Sequence, residues 1–260
     1  MQNKIALITG ASGGIGMYLA HQFAQKSTDV FLVARSHDKL KRLSAQLENQ
    51  YGITAWYKSA DLSKRGDVNQ LIREVEDKEL FVKYLVNNAG VGDYGSFVDR
   101  DYDKLESMMH LNMDALTKLT HAFLPAMREA SEGKILMVAS LAAFTPGPYM
   151  ATYYATKHYV LALSQALYAE NQDKNITVTA LCPGPTRTGF EEGAEAENTK
   201  LFKAKKLPTG MEVAAFGFKA MMKGRLVAIH GRKNRFLAFI TRFSPRRLVL
   251  RIVKNMQSEV

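Results

Sequence analysis

A single cysteine, Cys182, stands in 260 residues, so no intramolecular disulfide is available, and a reducing, cytoplasmic setting is expected. Seven prolines are too few and too dispersed to make a proline-rich linker. No apolar stretch approaches the length of a bilayer-spanning helix. The short apolar run after Lys4 lacks the length and flanks of a secretory signal. Six histidines are scattered without ligand spacing, which predicts no metal site. Acidic residues are absent from positions 213 to 258, where eleven of the 35 Lys/Arg occur. The remaining 24 basic residues nearly balance the 25 acidic ones, so the net charge of +10 belongs to the C-terminal segment.

What is present is enough for one sizeable core: 47% of the chain is hydrophobic. Apolar β-rich runs near 4–9, 29–34, 53–58, 82–87, 133–140, 175–181 and 226–230 alternate with helical patterns near 14–26, 37–50, 64–77, 101–129, 152–171 and 211–223. Strands apolar almost throughout, each followed by a helix, predict an α/β fold: a doubly wound, parallel, seven-stranded sheet covered on both faces. The expected organisation is one Rossmann-type domain over 1–231, with a lid at about 189–210 and a basic amphipathic tail over 232–260.

The chemistry concentrates between Ser140 and Lys157. Tyr153 and Lys157 lie four residues apart in a helical segment, so phenol and ammonium share one face. Ser140 ends the apolar run Ile135–Ala139 and delivers a hydroxyl toward the same place. A tyrosine titrating near pH 10 is a poor acid–base group at neutral pH, and a nearby cation is expected to lower it by up to about three units. Tyr-x-x-x-Lys alone also fits an ordinary exposed helix face. A second motif accompanies it, however. Thr9-Gly10-Ala11-Ser12-Gly13-Gly14-Ile15-Gly16 follows the first strand and opens the first helix, where backbone can approach a pyrophosphate.

With Asn87-Asn88-Ala89-Gly90, Asn112 and Pro183-Gly184, these motifs resemble the short-chain dehydrogenase/reductase family, in its compact branch of about 250 residues. They occur in the family's order over roughly residues 1 to 230. The resemblance implies a catalytic set of Asn112, Ser140, Tyr153 and Lys157. Ser140 would hold the substrate oxygen, Tyr153 would exchange the proton, and Lys157 would lower the Tyr153 pKa and bind the nicotinamide ribose. Asn112, read as part of one long helix, would keep a water behind the lysine. It further implies a dinucleotide site from Thr9, Gly10, Ser12, Gly14, Ile15, Gly16, Asp61, Leu62, Asn88, Ala89, Gly90, Tyr153, Lys157, Pro183, Gly184, Thr186 and Thr188. Asp61 serves equally as a helix N-cap.

At the end of the second strand, where NAD sites usually place a carboxylate, stands Ala34, followed by Arg35. A guanidinium suits a 2′-phosphate, so NADPH/NADP+ is expected over NADH. Phe144, Phe190, Tyr149 and Tyr94 are candidates for an apolar substrate pocket.

The tail departs from a minimal member. Phe236, Phe239, Ile240 and Phe243, then, after Pro245, Leu248, Val249, Ile252, Val253 and Met256, fall at helical spacing among basic residues. Such helices can dock on their own subunit or a neighbour, or lie peripherally on an anionic membrane. No recognised nucleic-acid module is present. The expected activity is NADP(H)-dependent interconversion of a ketone or aldehyde and its alcohol, on a small and apolar substrate, in a homodimer or homotetramer. The alternatives are a reductase of 3-ketoacyl or long-chain ketone substrates at a membrane surface, or a non-catalytic NADPH-binding module. Sugar-nucleotide epimerases share Tyr-x-x-x-Lys, but they resemble a longer chain with a C-terminal substrate domain.

Overall fold

A computed structural model describes residues 3–203 and 206–258; positions 204 and 205 of the expected lid, and 259 and 260 of the expected tail, lie outside the described residues. Seven strands, β1 (Lys4–Thr9), β2 (Asp29–Ala34), β3 (Ala55–Ser59), β4 (Phe81–Asn87), β5 (Gly133–Val138), β6 (Ile176–Cys182) and β7 (Val227–Ile229), form one sheet in the order β3-β2-β1-β4-β5-β6-β7. Every pairing is parallel.

Alternate residues of each strand feed two separate cores. Ile5 and Leu7 of β1 join the side chains of α3 (Arg65–Asp77), α5 (Leu116–Ala130) and α6 (Ala151–Glu170). Ala6 and Ile8 join those of α1 (Gly14–Ala24), α2 (His37–Tyr51) and α8 (Gly210–Met222). Burial on both faces explains why these strands read as unbroken apolar runs. The α/β, doubly wound, parallel sheet is therefore the one its pattern implies, in a single domain.

The chain moves outward from β1 through β2 to β3, then returns to lay β4 on the other flank of β1. That reversal opens a crevice beyond the carboxyl ends of β1 and β4, where ligands of such sheets bind. Thr9 fastens it: its hydroxyl donates to Val86 O (3.2 Å) and accepts from the backbone N–H groups of Asn88 and Ala89, each at 3.0 Å.

The segment expected as one helix over 101–129 is broken in three. After α4 (Tyr102–Met109), residues His110–Ala115 form a π-helical turn before α5 begins. The widened turn places the Asn112 side chain against the backbone of Val91, a partner outside the helix. Asp61 does not cap α3, whose N-cap is Lys64. Its carboxylate instead accepts from the N–H and hydroxyl of Ser63 at 3.2 and 2.8 Å, closing a local turn.

Beyond β6, a short helix α7 (Phe190–Gly193) begins the lid. Two helices end the described chain, α9 (Arg232–Ile240) and α10 (Arg246–Gln257), separated near Pro245. The end of α10 turns back onto the lid. The N–H of Leu201 donates to Met256 O and that of Lys200 to Ser258 O, both at 3.1 Å.

Candidate active site

The glycine loop and the Ser140–Lys157 segment face one cavity of about 500 Å³. At its dinucleotide end, Gly10, Ser12, Gly13, Gly14, Ile15, Arg35, Asn88, Ala89 and Gly90 line the wall. Gly13 is the N-cap of α1, yet no side chain caps this helix, and no acidic residue stands in its first turn. The first N–H groups of α1 are thus left for an anion. A Cβ on Gly13 would meet nothing within 4 Å, so bare backbone borders open space. Gly16 is required for another reason: a Cβ there would strike the Gly10 carbonyl oxygen and approach Asn88 Nδ2 to 2.5 Å. Thr9 and Gly16 therefore stand behind the wall and shape it.

Arg35 is exposed at the end of β2 and reaches the cavity. Among the described residues it enters no ion pair. Its backbone is tied to β3 by Ser59, whose hydroxyl donates to Arg35 O at 2.8 Å. Asp61 and buried Leu62 follow that strand end but do not line the cavity. Pro183, Gly184, Thr186 and Thr188 do, on the opposite side. The Thr188 hydroxyl accepts from the N–H of Phe190 (3.2 Å), coupling this wall to the lid.

At the other end, Ser140 is extended and caps a 3-10 turn, its Oγ accepting from the N–H of Ala142 at 3.1 Å. Tyr153 and Lys157 are both buried on α6. Ser140 and Tyr153 both line the cavity at this end. Lys157 Nζ donates to Val138 O (2.9 Å) and lies 5.7 Å from the centroid of the Tyr153 ring.

Here the electrostatics correct the sequence reading. Burial pushes the Tyr153 phenol well above its usual value, partly offset by Ser140, instead of Lys157 drawing it down. Burial likewise pulls Lys157 to about 8. With the ammonium spent on a backbone carbonyl, loss of hydration outweighs attraction between the two groups. The phenol is consequently held as a proton donor at neutral pH.

Asn112 lies directly behind this pair and does not line the cavity. Its Oδ1 accepts from the N–H of Val91 (3.0 Å), and Nδ2 donates to Val91 O (2.9 Å) and Thr156 Oγ1 (3.1 Å). A Cβ placed on Gly90 would lie 3.2 Å from Asn112 Oδ1 and 3.3 Å from Lys157 Nζ, so the three residues meet at one point.

The rest of the cavity is apolar. Phe190 of the lid stacks obliquely near Tyr153, with ring centroids 5.2 Å apart, and Phe144 also lines it. Tyr149 and Tyr94 do not; the Tyr94 hydroxyl donates to Gln257 O at 2.8 Å. The tail supplies what the sequence reading missed: Leu237 and Ala238 of α9, Thr241 at its C-cap, and Val249, Val253 and Gln257 of α10 wall the cavity. Gln257 is fully buried, and its Nε2 donates to the Tyr154 hydroxyl at 2.7 Å. Its Oε1 is buried without a hydrogen-bond partner. No spacing signal marks this glutamine, since its partners come from distant parts of the chain.

Among the described residues no group of three or more His, Cys, Asp or Glu is placed to hold a metal ion, and no helix is long and apolar enough to cross a membrane.

Comparison with known proteins identifies the family and the fold. The family model for short chain dehydrogenase matches residues 4–199. A very-long-chain 3-oxoacyl-CoA reductase of Anas platyrhynchos is 36% identical over 185 residues, 68% of this chain and 58% of that protein, so the chain spans little more than half of that relative's length. A short-chain dehydrogenase from Sphingobium yanoikuyae, solved in complex with NADPH, superposes with a TM-score of 0.82 at 31% identity, covering 92% of this chain and 93% of that one. The bulky-bulky ketone specific alcohol dehydrogenase from Comamonas testosteroni gives 0.79 at 29% identity, covering 92% of each chain. A sheet reversal carrying the glycine loop, a serine and a buried tyrosine lining one cavity, and a family match over most of its length thus lead to one assignment: the chain belongs to the short-chain dehydrogenase family.

Proposed function

We propose that the protein is an NADPH-dependent reductase of a bulky, apolar ketone or aldehyde. The observation that carries this reading is one cavity joining the bare glycine loop and Arg35 at one end to Ser140, Tyr153 and an apolar wall at the other. The uncapped first turn of α1 fits a pyrophosphate, and the missing carboxylate beside Arg35 fits a 2′-phosphate. Asp61, Leu62, Asn88, Ala89 and Gly90 are assigned to the adenosine side, and Pro183, Gly184, Thr186 and Thr188 to the nicotinamide side. Bound NADPH supplies the hydride.

The chain's own residues supply position, field and proton. Ser140 holds the substrate oxygen. Tyr153, a phenol already protonated at neutral pH and kept so by burial, gives its proton to that oxygen as negative charge develops there. Lys157 contributes positive charge beneath the phenol and holds the ribose hydroxyls. Asn112, bonded to the Val91 backbone and close to Lys157 at Gly90, is assigned the water that links Lys157 to solvent.

Two variants test the reading together. Arg35→Ala is expected to weaken NADPH binding by roughly tenfold to a hundredfold while leaving NADH binding unchanged, as loss of charge-assisted bonds requires. Fluorescence titration measures both; equal losses for the two nucleotides would remove the phosphate role. Tyr153→Phe is expected to lower ketone turnover by roughly a hundredfold or more with NADPH affinity retained. Wild-type protein that binds NADPH and turns over no carbonyl compound would instead favour a non-catalytic binding module.

A second substrate reading, 3-ketoacyl or long-chain ketones, is favoured by the tail helices that wall the cavity and by the 3-oxoacyl-CoA reductase relative. Pairing through α5 and α6 into a homodimer or homotetramer is assigned on family resemblance and is measured by sedimentation.

A further inference from the structure

The helices that wall the cavity have a second face. On α9, Leu237, Ala238 and Ile240, with Thr241 at its C-cap, line the cavity, whereas Phe236 and Phe239, and Phe243 just beyond the helix, do not. These three phenylalanines are 62%, 57% and 71% exposed, and the rings of Phe239 and Phe243 lie 5.3 Å apart. On α10, Val249 and Gln257 are buried, while Leu248 and Leu250 are exposed. A second exposed surface lies on α10. A shallow groove lined by Phe97, Pro148, Tyr149, Leu250, Arg251 and Lys254 joins α10 to the turn Phe97–Asp99, where Phe97 and Val98 are exposed by 63% and 86%. An exposed patch of this extent is unusual for a surface that meets only water.

The charge of α9 and α10 is of one sign, while the Phe97–Asp99 turn carries the exposed Asp99. Arg232, Lys233, Arg235, Arg242, Arg246, Arg247, Arg251 and Lys254 lie among these residues, and no acid occurs from 213 to 258. Among the described residues none of the eight is in an ion pair. A second copy of the chain is a poor occupant, since a twofold contact would set the same cationic patch against itself. A surface of anionic phospholipid meets both properties, receiving phenylalanine rings below its headgroups and Lys/Arg among them.

We propose that α9, α10 and the Phe97–Val98 turn seat the protein on an anionic bilayer, and that its substrate is a membrane-dissolved long-chain carbonyl compound entering the cavity between these helices. The seating stands on the surface alone; the delivery of substrate rests on the reductase reading above. Residues on the inner faces of the helices then present the apolar cavity to the lipid while their outer faces hold it there.

The test is co-sedimentation of the full-length protein with phosphatidylcholine vesicles, with and without added phosphatidylglycerol, in the absence of substrate. Binding is expected to require phosphatidylglycerol, to weaken with salt, and to fall roughly tenfold or more in Phe236→Asp/Phe239→Asp/Phe243→Asp. Arg246→Glu/Arg247→Glu/Arg251→Glu is expected to do the same. Reduction of a water-soluble ketone should be unchanged in both variants, and reduction of a long-chain ketone presented in the vesicles should fall with binding. Wild-type protein that ignores anionic vesicles, or binding that survives both variants, would overturn the proposal. An oligomer that dissociates in the phenylalanine variant without vesicle binding would assign the patch to a second copy. Vesicle binding without turnover of any ketone would uphold the seating and remove the reductase reading.

Discussion

At the scale of residues, Lys157 shows how far burial sets the chemistry. Its folded pKa of about 8 lies below its ordinary 10.5, so between those values the unfolded chain carries more protons than the folded one. Stability therefore gains from this group as pH rises through that window; the penalty is fully present below about 8 and relieved above about 10.5. Lys157→Met is expected to raise the stability of the cofactor-free protein at neutral pH and to flatten its increase from pH 8 toward 10, read from urea unfolding at each pH. A mutant whose pH dependence matches wild type would show that another group sets it. That Ser140, Tyr153 and Lys157 meet at one cavity was legible in the sequence; the direction of the Tyr153 shift was not. Spacing places the ammonium on the same helix face but gives no sign that it turns to Val138 O.

At the scale of elements, strands β1 and β2 fall where the apolar runs put them, because a strand buried on both faces has no polar alternation to blur its ends. The helix over 101–129 was legible as helix and wrong as one helix. A π turn shifts the backbone by one residue, which a 3.6-residue periodicity absorbs without trace, and only the partner of Asn112 reveals it. That partner gives the turn its energetic reason. Asn112→Ala would leave the Val91 N–H and carbonyl without their side-chain partner, at a cost of about 1–3 kcal/mol for each group left buried and unpaired. A fall in unfolding free energy of this size is expected in denaturant titrations, with slower turnover as Gly90 and Lys157 lose their shared neighbour. Unchanged stability would show that water replaces the amide.

At the scale of the whole molecule, the dinucleotide end of the cavity is built from strand ends and loops that sequence motifs mark, whereas its apolar end is completed from the far end of the chain. The amphipathic stripe of the tail was readable, but a stripe says which face seeks cover and not what covers it. Gln257 is the clearest instance. Gln257→Leu would keep the bulk, remove the bond to Tyr154 and eliminate the unpaired Oε1. The KM for a bulky ketone is expected to change severalfold while NADPH affinity stays as in wild type, measured by steady-state kinetics and titration. A change in NADPH affinity instead would place Gln257 in the cofactor site.

The return of α10 onto the lid also bears on the order of assembly. Thr9 meets Asn88 across 79 residues, within the first half of the chain, whereas Gln257 meets Tyr154 across 103 residues and only after α9 and α10 have formed. Closing the longer connection has little to hold it until the sheet beneath is complete. A refolding chain is therefore expected to complete its sheet while its hydrophobic chamber still lacks a wall. In that form the phenylalanines and valines of the tail are exposed together, and aggregation competes most strongly with the final step.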